Sequence, residues 1–163
     1  DLYDYPRIDG FTILPTLLHP KSRGTVSLSS SKPIEPPIIQ PNFLNEKEDL
    51  DQLVKGGKLV FKIMEEKAMK NHIKVNGLPH NRSSDELLIE HIKKTLETVY
   101  HPVGTCKMGT DLMAVVDPNL KVHGIKSLRV VDASIMPKIV SGNTNAPVFM
   151  IAEKAADMIL SEL

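Results

Sequence analysis

Tyr100-His101-Pro102-Val103-Gly104-Thr105-Cys106-Lys107-Met108-Gly109 sets a histidine on a loop punctuated by proline and glycine. Imidazole gains and loses a proton near neutral pH, so a histidine held there is a candidate general base. The plainer reading is a loop histidine hydrogen-bonded to backbone. Cys106 and Met108 read as apolar groups packed beneath the loop, with no catalytic role.

Two segments downstream belong with it. Val131-Asp132-Ala133-Ser134 closes an apolar run, Ser127 to Val131, expected as a buried strand, and Asp132 then reads as a turn acid. Ser141-Gly142-Asn143-Thr144-Asn145-Ala146-Pro147 leads into Val148, Ile151, Ala152, Ala155 and Ile159, which recur at helical spacing. The final helix is expected to start near Asn145, with Pro147 tolerated in its first turn and Asn143 and Asn145 at capping positions. Its positive end and free N–H groups near Asn143, Thr144 and Asn145 would favour an anion.

Taken together, the three segments resemble the carboxy-terminal end of the glucose-methanol-choline (GMC) oxidoreductases, a flavoenzyme family, on its insect glucose dehydrogenase-like and choline dehydrogenase-like side. The resemblance covers essentially everything after about Thr98 and is weaker and scattered before it. It implies an α/β (α+β mixed) chain, in which residues 1–100 are part of the antiparallel-sheet-plus-helices substrate-binding domain. Residues 101–163 would then be the catalytic loop and the closing segment of the FAD-binding domain.

The activity implied is oxidation of the CH–OH group of an alcohol or sugar, with FAD taking the hydride and a quinone or oxygen as the final electron acceptor. Dehydrogenase is favoured over oxidase by resemblance alone; polyol, sugar, choline-like and steroid alcohols all stay open. By the same resemblance His101 is the base, and Asn143 faces the reacting carbon across from it. An amide donates a hydrogen bond to the developing alkoxide but accepts no proton, which leaves the base role to His101. Backbone groups at Asp132 and Ala133 would approach the FAD pyrophosphate, and those at Asn143 and Thr144 the flavin ring, where the helix end stabilises the negative charge of reduced FAD.

Toward the amino end, strands are expected at Phe11 to Leu18, Gly24 to Leu28 and through Ile38, Ile39 and Gln40, with a polar turn over Ser29-Ser30-Ser31-Lys32-Pro33. From about Glu46, Leu50, Leu53, Val54, Val60, Phe61, Met64 and Ala68 predict one long amphipathic helix. Gly56 and Gly57 inside it point to close packing against another backbone or to a break. Ser83 with Glu86 fits a capping box, and Leu88, Ile89, Ile92, Leu96 and Val99 predict a second helix running up to His101. A short strand at Ala114 to Val116 and a turn at Asp117-Pro118-Asn119 follow.

Composition removes several classes. Hydrophobic residues make up 41% and charged residues 25%, as in globular chains. Lys plus Arg and Asp plus Glu cancel at 20 each with no basic stripe, so nucleic acid is not an expected partner. No apolar run reaches the ~18 residues of a membrane span. The single Cys106 excludes an internal disulfide. A zinc site from His91, His101 and Cys106 matches no compact ligand spacing, and no metal is expected. His19, His72, His80 and His123 are expected to be solvated, and Asn81-Arg82-Ser83 is a glycosylation sequon, the one hint of a secretory route.

The Gly-x-Gly-x-x-Gly turn that holds a dinucleotide pyrophosphate is absent, the chain opens on Asp1, and it contains nothing like a charged leader followed by an apolar stretch. The expectation is a carboxy-terminal fragment that lacks the dinucleotide-binding half and is inactive alone. The competing reading is a truncated or non-catalytic paralogue, acting at most as a binding protein.

Overall fold

The computed structural model describes residues 9–74 and 84–162. The Ser83 cap, the Asn81 sequon and His80 lie outside them. The chain is mixed α and β: β1 (Thr25–Ser27), β2 (Ile38–Gln40), α1 (Lys47–Glu65), α2 (Lys67–Lys70), α3 (Asp85–Thr95), a 3₁₀ turn (Ala133–Ile135) and α4 (Asn145–Leu160). It divides into two compact units, one made of Leu50–Thr95 with the chain up to Leu17, the other of Leu18–Asp49 with Leu96–Leu163.

In the first unit, α1 forms where the apolar period predicts, and buries Val54 and Val60, while α3 buries Leu88. The helix does not break at its glycines. A Cβ on Gly57 would lie 3.1 Å from Leu88 Cδ1, and one on Gly56 would lie 2.9 Å from Pro15 Cβ, so the close neighbours are side chains rather than backbone. Phe11 to Leu18 makes no strand. Pro15 offers no N–H to a ladder, and its ring instead lies against Gly56. Ala68 falls in the separate α2, because regular helix stops at Glu65. Ser84 stands at the start of α3, where its carbonyl accepts the Leu88 N–H at 3.3 Å. That helix ends at Thr95, whose hydroxyl donates back to His91 O at 2.8 Å. Leu96 and Val99, expected on its apolar face, are outside it and exposed.

In the second unit, β1 and β2 pair antiparallel with Val26 opposite Ile39. The polar turn between them holds through Ser30 Oγ, which accepts the Lys32 N–H at 3.0 Å, and Lys32 O, which accepts the Glu35 N–H at 3.1 Å. Gly24 enters β1 where only glycine fits, since a Cβ would stand 2.4 Å from Gln40 O. Asp49, at the start of α1, is 2% exposed and takes three hydrogen bonds: Lys21 N–H at 2.8 Å, Ser22 N–H at 2.8 Å and the Ser22 hydroxyl at 2.5 Å. Burial pushes its carboxyl up, but these bonds outweigh burial and hold it below its ordinary range.

The core of this unit is Val116, Leu120, Ile135 and Ala155, with Met108, Val115, Val122, Val130, Val131, Ile151 and Met158 packed around it. The Asp117 turn forms as expected, with Oδ1 accepting the N–H groups of Asn119 and Lys121 at 2.8 and 2.9 Å. The flanking strands do not form. Val116 makes only single bridges, to Met108 and Val122, and Arg129 only one, to Lys121. Ser127 takes a positive φ of 60°, which turns the chain out of extended pairing and leaves Leu128 exposed. The valines still reach the core, but from irregular backbone. In α4, Ala155 is buried and Val148 and Ile151 are half-buried, whereas Ala152 and Ile159, expected inside, are exposed. Glu162, just past α4, pairs with Arg129 Nη2 at 2.7 Å and Lys121 Nζ at 2.9 Å. Among the described residues, no helix is long and apolar enough to cross a membrane.

Candidate active site

His101 does not ride on the end of a helix. Residues 96–100 carry the chain from α3 to it, and Tyr100 turns there with φ 61° while its N–H bonds Thr98 Oγ1 at 3.1 Å. Beyond His101, Gly104 takes φ 91°, a conformation that favours glycine, and its carbonyl accepts the Lys107 N–H at 3.2 Å. The loop is then stapled by backbone bonds to the Asp132 segment: Cys106 N–H to Ser134 O at 3.0 Å and Met108 N–H to Ile135 O at 2.7 Å. Cys106 and Met108 are half-buried, and Met108 packs on the core. The first two segments singled out in the sequence are therefore neighbours in space.

Asp132 is exposed, in extended conformation, and its side chain does what a turn acid does. Oδ1 accepts the Ser134 N–H at 2.7 Å and the Ser134 hydroxyl at 2.5 Å, capping the 3₁₀ turn. The N–H groups of Asp132 and Ala133 have no hydrogen-bond partner among the described residues.

The third segment joins the first through His101 itself. Nδ1 of the half-buried imidazole lies 3.0 Å from Thr144 Oγ1, and Nε2 has no protein partner among the described residues. Thr144 is 7% exposed and occupies the N-cap of α4, so neither Asn143 nor Asn145 is the cap. Asn143, immediately before it, is exposed, and its amide makes no side-chain hydrogen bond among the described residues. Asn145 and Ala146 open α4 with N–H groups that have no intrahelical acceptor. Loop, turn and helix end thus present one imidazole nitrogen, one carboxamide and several backbone donors, a set able to accept a proton at Nε2 and to hold a negatively charged or carbonyl-rich group.

Sequence reasoning missed the contacts of four residues: Thr144, His19, His123 and Asp49. Thr144 was expected to contribute only its backbone, yet its hydroxyl reaches His101 across 43 positions. His19 and His123, expected to be solvated, are exposed but paired: His19 Nε2 with Ser141 Oγ at 2.8 Å, and His123 Nε2 with Gly109 O at 3.1 Å. Asp49 was read only as part of a helix. Only its place in a helical first turn hinted at a structural acid; the histidine contacts had no local signal. Among the described residues, no three His, Cys, Asp or Glu side chains gather into a group that could hold a metal.

Residues 20–152 match the profile of the GMC oxidoreductase family, C-terminal part. The chain is 45% identical over 155 residues to the alcohol dehydrogenase [acceptor] of Pseudomonas putida, covering 94% of this chain and 28% of that protein. It is 42% identical over 156 residues to the glucose dehydrogenase [FAD, quinone] of Drosophila melanogaster, covering 90% of this chain and 25% of that protein. Among solved structures, the pyridoxine 4-oxidase of Mesorbium loti superposes with a TM-score of 0.81 at 34% identity, over 86% of this chain and 28% of that one. The chain spans about a quarter of the length of these relatives.

Proposed function

Because the chain belongs to the GMC oxidoreductase family, we propose that it supplies the proton-accepting side of an FAD-dependent oxidation of a CH–OH group in an alcohol or sugar. The observation that carries this is the His101 imidazole, tied at Nδ1 to the hydroxyl of the buried Thr144 and without a partner at Nε2 among the described residues. Residues 1–100 would contribute part of the substrate-binding domain, and residues 101–163 the catalytic loop and the closing segment of the FAD-binding domain.

The donor set fits FAD. The N–H groups of Asp132 and Ala133 suit a pyrophosphate, and the open amino end of α4 with the Asn143 amide suits the acceptor-rich edge of a flavin ring. When bound, FAD would accept the hydride, and a quinone or oxygen would take the electrons from it.

The chain's own residues do the rest. His101 Nε2 takes the hydroxyl proton of the substrate, and the imidazolium keeps its Nδ1 contact with Thr144. Asn143 donates a hydrogen bond to the alkoxide that develops, a task an amide performs without competing for the proton. The test is His101→Ala in the flavin-loaded enzyme. Turnover should fall by roughly 10² to 10⁴-fold, as expected for loss of a general base, with the flavin absorbance retained. Undiminished turnover would remove His101 from the base role. Anaerobic bleaching of that absorbance by one member of a panel of alcohols and sugars would identify the substrate.

A further inference from the structure

Resting on that reading of His101, we propose that Thr144 is a positioning residue, whose hydroxyl accepts the Nδ1–H of His101 and so keeps the Nε2 lone pair available to the substrate.

Thr144 stands where threonine usually caps a helix, but it does not cap. It is the N-cap of α4, and its side chain makes no cap hydrogen bond. An N-cap hydroxyl accepts from the N–H of the second or third helical residue, and the cap residue is normally extended. Here the third residue is Pro147, which has no N–H, and Thr144 itself is at φ −88°, ψ −5°. The hydroxyl thereby forgoes a contact worth roughly 1 kcal/mol in ordinary helices. Thr144 is also only 7% exposed, and a buried hydroxyl needs a partner; among the described residues the one it has is His101 Nδ1 at 3.0 Å.

A hydroxyl can donate or accept, and the two arrangements are not equivalent for catalysis. If Thr144 donated to Nδ1, neutral His101 would carry its proton on Nε2 and could not take another there. If Nδ1–H donates to Oγ1, Nε2 is the lone pair. When the substrate hydroxyl proton moves to Nε2, the imidazolium keeps its Nδ1–H on the same oxygen, so no side chain has to move during the transfer. The bond also fixes the plane of the ring, which is carried on a loop rather than on a helix.

The test compares Thr144→Val, Thr144→Ser and His101→Ala in the flavin-loaded enzyme, singly and with Thr144→Val added to His101→Ala. Thr144→Val, which replaces the hydroxyl by a methyl group, should lower kcat by about 10- to 100-fold, change KM by less than about 3-fold and keep the flavin. Thr144→Ser should restore kcat to within about 3-fold of the parent. In the His101→Ala background Thr144→Val should cost nothing further, because its effect passes through the imidazole. Equal losses from Val and Ser, or a Val effect that persists in full without His101, would overturn the proposal and leave Thr144 a structural residue. If Thr144→Val sheds the flavin or fails to fold, the Ser variant decides alone: near-parent kcat and KM support the positioning role, and a comparable collapse refutes it. Failure of the base assignment is a separate outcome, read from His101→Ala alone.

Discussion

Replacing Asp49 by Asn tests whether one buried carboxylate holds the Lys21–Gly24 stretch against the start of α1. The carboxylate accepts Lys21 N–H on one oxygen and both Ser22 donors on the other, and the Ser22 hydroxyl oxygen in turn accepts the Glu46 N–H at 3.1 Å. Asparagine keeps the shape but offers one acceptor oxygen. In either amide orientation, its NH₂ group faces a backbone N–H, of Lys21 or of Ser22, that is left without a partner. One charge-assisted bond lost and the others weakened amounts to about 2–4 kcal/mol at a site 2% exposed. At 1.36 kcal/mol per factor of ten, amide exchange at Lys21 and Ser22 should accelerate by about 30- to 1000-fold, read by hydrogen-exchange mass spectrometry on a peptide spanning them.

The pH dependence has a definite sign. Because the folded carboxyl sits below its ordinary value, its contribution is present in full above the unfolded carboxylate pKa of ~3.9 and is lost as pH falls through the folded value. The difference between parent and Asn variant should therefore be constant from pH 7 to about 5 and shrink below about 4. Exchange at Lys21 and Ser22 within 3-fold of the parent at pH 7 would sink the reasoning.

Two further outcomes are expected. Gly24→Ala should destabilise by more than about 2 kcal/mol, because the new Cβ meets Gln40 O and the Pro41 backbone, and neither can yield without breaking the Thr25 and Gln40 pairing; an unchanged melting temperature refutes it. Asn143→Ala should lower turnover by on the order of 10–100-fold, less than His101→Ala, with flavin retained, and an unchanged rate would leave Asn143 without a part in the reaction.

Much of the local structure was legible because its causes are local. The turn at Asp117 follows from a side chain that reaches its own neighbours, α1 from an apolar period, and the start of α4 from Pro147 beside an apolar run. The failures share one origin: apolar periodicity reports burial, not pairing. Val115, Val116, Val130 and Val131 are in or against the core as their character demands, yet no ladder forms around them, because the Ser127 turn and the Leu120 backbone at φ 65° bend the chain between bridges. At the site, the family resemblance pointed to His101 and Asn143, but the contact that orients His101 joins positions 43 apart, and that between His19 and Ser141 joins positions 122 apart. No window of sequence contains such pairs.

The unmade cap on α4 bears on why the site is built this way. A threonine followed by asparagine and alanine could satisfy a helix end at little cost, yet with proline at the third position and the hydroxyl turned to His101, the Asn145 and Ala146 N–H groups have no acceptor among the described residues. Ala155, Ile151 and Met158 hold the helix on Val116, Leu120 and Ile135, so its stability comes from packing further along and not from its amino end. That division lets the end remain open for an acceptor brought by a ligand, and the His101 loop is tied to the same core that holds α4, since Ile135 both lines the core and receives the Met108 N–H of that loop. The end of α4 is left uncapped at the place where the proposed chemistry needs free donors and a held base.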